Sequence, residues 1–168
     1  MTIWADADSL TPQVRTIILR RSGKPVPNSI PDKPNSIIKV MFVSCKPLPE
    51  YKTIDSDIYS IVEQKDQSSD EYILSHANIG DIVITRDILF AEKALQQSLF
   101  VLNDRGTVWT EESIRERIAL MNYSQALREA GIASNNNKIG LSKQDIKNFA
   151  DALDRTIIAA YKRSILAL

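Results

Sequence analysis

At 168 residues, 43% of them apolar and 25% charged, the chain has the make-up of one globular domain. A chain of that length buries roughly 70% of the surface its unfolded form exposes. The 21 Lys and Arg balance 21 Asp and Glu, which argues against the broad basic field of a tight, non-specific nucleic-acid binder, while Cys45, the single cysteine, excludes an internal disulfide framework and fits a reducing cytoplasm.

One His beside one Cys also argues against a His/Cys zinc centre. No apolar run approaches the roughly 18 residues of a membrane span, and no secretory leader pattern opens the chain, so the expectation is a cytoplasmic protein without membrane contact.

Residues 2–5, TIWA, form a short apolar strand candidate that ends at the turn Asp6-Ala7-Asp8. Thr11 and Pro12 supply an N-cap and a first-turn proline, followed by Val14, Ile17, Ile18 and Arg21 at helical spacing. Residues 22–36 hold four prolines and read as an exposed loop, because proline removes donors from helix and sheet alike. Residues 37–44, IIKVMFVS, are apolar enough for a strand buried on both faces, and 58–63 are a weaker strand candidate. Ser68 with Glu71 three residues on predicts a capping box and a helix through about Ala77.

Gly80-Asp81 turns the chain into IVIT at 82–85, a β-branched run between turn signals and the clearest strand. A helix over 88–97, a strand over 99–103 and a turn at Asp104-Arg105-Gly106 follow. Residues 111–131 read as a helix with Ile114, Ile118, Met121 and Leu127 apolar and Gly131 as its stop. After a polar loop, Ser142 and Asp145 predict a second capping box and a last helix through about Tyr161, with Ile146, Phe149, Leu153 and Ile157 on one stripe. Strands alternating with helices predict an α/β fold around a mainly parallel sheet, in one domain spanning 1–168, with residues 110–168 as two additional C-terminal helices packed on it.

Open parallel sheets bind ligands beyond the carboxyl ends of their strands. Asp6 and Asp8 stand at that end of the first strand; Thr85 and Asp87 stand at that end of IVIT. Asp70, in the first turn of the preceding helix, could reach the same edge, and Asp66 and Asp104 are weaker candidates. Carboxylates so grouped repel one another unless one takes up a proton or a cation joins them, and an all-oxygen set suits Mg²⁺ or Mn²⁺. Each acid also has a local reading: Asp8 as an Asx turn or cap, Asp70 as a favourable charge at a helix start, Asp87 as the cap of helix 88–97. Thr85 reads equally as an ordinary strand residue.

With IWADAD, GDIVITRD, LNDRG, TEESIRERI and LREAGI followed by LSKQDIKNFADALD, the chain resembles the YaiI/YqxD family (UPF0178, DUF188), whose fold belongs with the PIN-like nucleases. The resemblance covers most of the chain. It implies a three-layer α/β sandwich in which acidic residues coordinate Mg²⁺ or Mn²⁺ and a metal-activated water hydrolyses a phosphodiester, with RNA or another nucleic acid the expected substrate. Carried over by position, the metal and catalytic acids are Asp6, Asp8, Asp70 and Asp87, with Thr85 beside them. The N-x-R-G turn and the I-R-E-R helix give Asn103, Arg105, Arg115 and Arg117, arginines that suit phosphate contacts but serve as often in solvent or paired with Glu111, Glu112 or Glu116.

The chain departs from the family where D-A-D is followed by Ser9-Leu10-Thr11-Pro12 instead of Ala-Cys-Pro, where Asn-x-Ser becomes Ser44-Cys45-Lys46, and in a longer proline-rich loop. Two other readings stand beside the nuclease. One is a non-catalytic binding protein on the same scaffold, favoured by net neutrality, by aromatic residues too scattered to form a stacking platform, and by Trp4 and Trp109 reading as core or edge packing. The other is a phosphatase of the haloacid dehalogenase type with Asp6 as nucleophile. That family wants Thr or Val where Leu10 stands, and a G-D loop after a strand, whereas Gly80-Asp81 precede theirs.

Overall fold

The structure is a computed structural model that describes residues 1–27, 37–48, 58–61, 68–132 and 140–166. Parts of the proline-rich loop, the end of the strand candidate at 58–63, Asp66 and most of the polar loop after Ile132 lie outside the described residues.

Among the described residues five strands run parallel: β1 (Thr2–Asp6), β2 (Lys39–Ser44), β3 (Tyr59–Ile61), β4 (Ile82–Ile84) and β5 (Phe100–Leu102). A sixth, β6 (Val108–Trp109), pairs antiparallel with β5, and the spatial order is β3-β2-β1-β4-β5-β6. The chain winds outward from β1 through β2 to β3, then crosses to β4 on the other side of β1. The point where the winding reverses is therefore the β1/β4 boundary.

Side chains alternate between two cores because successive residues of a strand face opposite sides. Ile3, Ala5, Val40, Phe42, Ile82, Ile84 and Leu102 face one side, where α1 (Pro12–Leu19) brings Val14 and Ile18 and α5 (Lys143–Leu166) brings Phe149, Leu153 and Ile157. Trp4, Val43, Val83 and Val101 face the other, against Ile73 of α2 (Ser69–His76), Phe90 and Ala94 of α3 (Ile88–Gln96) and Ile114 of α4 (Glu111–Glu129). Helices thus cover both faces of the sheet, and the two C-terminal helices lie on opposite faces. Trp4 is buried in the second core, as core packing requires.

The capping box of α2 forms as its sequence predicts, with the Ser68 hydroxyl accepting from Glu71 N–H and the Glu71 carboxylate accepting from Ser68 N–H. Ser142 and Asp145 make the equivalent exchange ahead of α5. Two expectations are corrected. Thr11 holds the N-cap position of α1, but its hydroxyl does not cap the helix and is buried without a partner among the described residues. Helix α5 continues past Tyr161 to Leu166. On α4, Ile114 is buried and Ile118, Met121 and Leu127 are half-buried on the same side, while Leu120 and Tyr123 are 58% and 64% exposed.

The turn at 103–107 places a glycine where only glycine fits. Gly106 has φ +86°, and a Cβ there would lie 2.5 Å from the Asn148 carbonyl oxygen of α5. The Asn103 side chain shapes the same turn by accepting from the N–H groups of Arg105 and Thr107.

Candidate active site

The β1/β4 pairing sets Ala5 against Ile84, so the next residues, Asp6 and Thr85, meet at the carboxyl edge. The Thr85 hydroxyl donates to Asp6 Oδ2 at 2.8 Å, and both residues are buried. Asp6, 4% exposed, is an acid that the β-run TIWA carries inside the molecule. Burial pushes its carboxyl above the ordinary value; the nearby hydroxyls of Ser9 and Thr85 oppose this, and the charges of Asp8 and Asp87 add to it.

Asp70, near the start of α2, is pushed up to about 6, first by burial and then by the charges of Asp6 and Asp87, with Lys93 opposing. Asp6, Asp70 and Asp87 therefore share one electrostatic neighbourhood although they come from three separate elements. The native Asp70 carboxyl keeps its proton up to about 6, whereas the unfolded side chain releases it near 3.8. Its contribution to stability is thus present below pH 3.8 and lost as the pH rises through about 6. In metal-free buffer the melting temperature is expected to fall across that window, and Asp70→Asn is expected to flatten the fall. Thermal denaturation at a series of pH values measures both.

The other acids carry local duties as well. Asp87 Oδ1 accepts from the N–H groups of Leu89 and Phe90 as the N-cap of α3, and the Asp87 N–H donates to the Thr85 hydroxyl. Asp8 is exposed, and its Oδ2 accepts from Cys45 N–H, linking the D-A-D turn to the end of β2. Asp104 is buried at the end of β5 with Oδ2 3.2 Å from Arg86 Nε. Burial raises its carboxyl, and Arg86 and Arg105 oppose that.

Among the described residues, no three acids stand close enough to close a metal site by themselves. The donor set is instead an open edge: a buried carboxylate at Asp6, beside an Asp70 whose ionisation is made costlier by burial and by the charges of Asp6 and Asp87. Mg²⁺ commonly takes only one or two carboxylates and completes its shell with water and substrate phosphate, so an open edge of this chemistry fits it.

The arginines divide between two places. Arg105 pairs with Asp145 at 2.7 Å and, with Arg117, lines a cleft of about 320 Å³ that also includes Asn103. Arg115 lines a separate cavity with Glu92 and Glu111 on the α3/α4 side. Sequence reasoning missed two positioning residues. Arg15 of α1 is buried and donates from Nη1 to the carbonyls of Ala7 and Leu10, pinning the acidic turn. The Ser9 hydroxyl donates to the Asp6 carbonyl and accepts from Arg86 N–H, tying the β1 turn to the β4 turn. The signal for Ser9 was its departure from the family's Ala-Cys-Pro. Leu10, where the phosphatase pattern wants a hydroxyl or Val, is 4% exposed in the first core.

A family model described as an uncharacterised YaiI/YqxD family (DUF188) matches residues 4–159. A UPF0178 protein of Psychromonas ingrahamii is 36% identical over 163 residues, covering 96% of this chain and 99% of that protein. A UPF0178 protein of Treponema pallidum is 35% identical over 157 residues, covering 92% and 80%, and one of Syntrophobacter fumaroxidans is 33% identical over 165 residues, covering 96% and 97%. No solved structure matches the chain. With a family model spanning nearly all of its elements and full-length relatives at this identity, the chain belongs to the uncharacterised YaiI/YqxD (UPF0178) family.

Proposed function

We propose that this protein is a PIN-like, Mg²⁺- or Mn²⁺-dependent nuclease that hydrolyses phosphodiesters, with RNA as its substrate. The observation that carries the reading is the burial of Asp6 at the β1/β4 boundary, where the charges of Asp8 and Asp87 add to the cost of ionising it and the charges of Asp6 and Asp87 press in turn on Asp70. A buried acid at a ligand-binding edge whose ionisation is made costly by burial and by neighbouring charges is a candidate for chemistry.

In this reading Asp6 would hold the cation, with Asp70 and Asp87 supplying further negative charge along the same edge and Asp8 at the exposed rim. A bound divalent ion supplies Lewis-acid activation of water and neutralises charge on the phosphoryl group. Thr85 fixes the Asp6 carboxylate through its hydroxyl, and Arg15 and Ser9 hold the turn that carries it. Arg117 meets substrate phosphate from the neighbouring cleft. Arg105 is held there by Asp145, and Asn103 shapes the turn that presents it. Arg115, in its own cavity, takes at most an outlying phosphate.

A second reading, a non-catalytic binding protein on this scaffold, is favoured by the local engagement of Asp8 and Asp87. One experiment separates the two. Single-stranded RNA is incubated with the purified chain and Mn²⁺, then with excess EDTA, while melting is followed against Mn²⁺ concentration. The nuclease reading expects metal-dependent cleavage and a melting temperature that rises with Mn²⁺. No cleavage and no thermal shift would leave the binding-protein reading.

A further inference from the structure

Immediately beside the acidic edge lies a cleft that the metal chemistry does not use. Arg86, Ile88, Asp104, Arg105, Trp109 and Arg117 contribute to its wall. Arg86 follows Thr85 directly in the chain, so the cleft starts one residue from the hydroxyl that binds Asp6. The acids sit above the β1/β4 pair and the cleft above β4/β5, a lateral offset of one to two strand spacings, ~5–10 Å.

The cations of this cleft are not equivalent. Arg105 is committed to Asp145. Arg86 is anchored by Nε to the buried Asp104, whose Oδ2 accepts no well-formed hydrogen bond, while its backbone N–H is held by Ser9. That ion pair engages only Nε and leaves the terminal nitrogens with no partner among the described residues. Arg117, on α4, makes no ion pair among the described residues. Two guanidinium groups presenting forked donors into one cleft match the geometry of a phosphate diester.

The opposite requirement, a flat apolar surface, is met by Trp109. It lies on β6 opposite Val101, packs against the second core and also lines the cleft, so its ring is held by the core while part of it faces the ligand space. Ile88 adds a further apolar surface. A rigid indole beside two arginines is the combination that binds a base by stacking and its phosphate by charge.

We propose that this cleft holds one nucleotide unit of a single-stranded nucleic acid, its phosphate between Arg86 and Arg117 and its base against Trp109. This deepens the nuclease reading and rests on it: the strand crosses the carboxyl ends of β5, β4 and β1, which delivers the adjacent linkage to the acids. It also makes the substrate a polymer, because a mononucleotide would occupy the cleft without presenting a linkage to Asp6.

The chain has only Trp4 and Trp109, and Trp4 is buried with its indole N–H on Asp81, so quenching of fluorescence reports on the cleft. The test titrates the full chain with a short oligouridylate in excess EDTA, where no metal-dependent hydrolysis proceeds. Expected are saturable quenching, its disappearance in Trp109→Phe, and a loss of affinity of about fivefold in Arg117→Ala with a salt slope reduced by about one. Inorganic phosphate alone is expected to bind far more weakly and without quenching.

Absent quenching, quenching that survives Trp109→Phe, or unchanged binding in Arg117→Ala overturns the proposal, as does phosphate binding as tightly as the oligonucleotide. Far-ultraviolet circular dichroism of each variant verifies that it is folded. Because the titration contains no divalent ion, its failure is independent of the cleavage assay. Binding without Mn²⁺-dependent cleavage would sink the nuclease reading and keep the cleft; cleavage without quenching would do the reverse.

Discussion

Phe149→Ala is expected to lower the free energy of unfolding by about 3–5 kcal/mol, the range for emptying a buried aromatic site. For a chain of this size that corresponds to a fall in melting temperature of roughly 6–20 °C. Phe149 is fully buried in the first core, on the stripe of α5 that continues through Leu153 and Ile157. Its surroundings have little freedom to close over a cavity, because the backbone of α5 at Asn148 and Phe149 already abuts Gly106.

The manner of unfolding is as informative as its size. If α5 were an appendage, removing Phe149 would melt that helix ahead of the rest. Helix α5 instead packs on β4, β5 and α1. The expectation is therefore one cooperative transition shifted as a whole, seen identically by circular dichroism and by the fluorescence of Trp4 and Trp109, which sit on the opposite face of the sheet. Separate transitions by the two probes would show α5 to be an independently melting element.

Elements built from local rules were legible in the sequence. IVIT between turn signals became β4, and the Ser68/Glu71 and Ser142/Asp145 pairs became working caps. Strand β6 was missed although the turn before it was read. Two residues, Val108 and Trp109, carry too little periodicity to announce a strand, and their pairing is set by the hairpin geometry of Asn103 and Gly106.

At the edge of the sheet the same division holds. That Asp6 and Thr85 would be neighbours followed from two strands ending in polar residues, provided the strands were adjacent, and the order β1-β4 supplies this. The buried Arg15 was invisible because an arginine at a helical position ordinarily faces water. Here the carbonyls of the acidic turn need donors, and that tertiary demand outweighs the cost of burying the guanidinium. The division of Arg115 from Arg117 was likewise a matter of helix rotation: residues two apart on a helix face different directions, and each lines a different cavity.

Asp6→Asn is the substitution in which activity and stability are expected to move in opposite directions. Under the nuclease reading it removes the buried anionic oxygen that the cation needs, and hydrolysis of single-stranded RNA in Mn²⁺ should fall at least about a hundredfold, the scale of losing one electrostatic contact at a reacting centre. The fold should tolerate the change. Asparagine has nearly the same shape and retains a carbonyl oxygen to accept from Thr85, while a neutral amide costs less to bury than a carboxylate. The charge that presses on Asp70 also disappears, so the Asp70 carboxyl should move down from about 6 toward its ordinary value. In metal-free buffer at neutral pH the variant should therefore melt at or above the wild-type temperature, and the wild type's gain on adding Mn²⁺ should be lost. Wild-type cleavage by a folded Asp6→Asn chain would refute the assignment of this carboxylate. A variant that instead melts well below wild type would show that Asp6 is held for the architecture of the β1/β4 edge, its ionised form already stabilised by Thr85 and the turn around it.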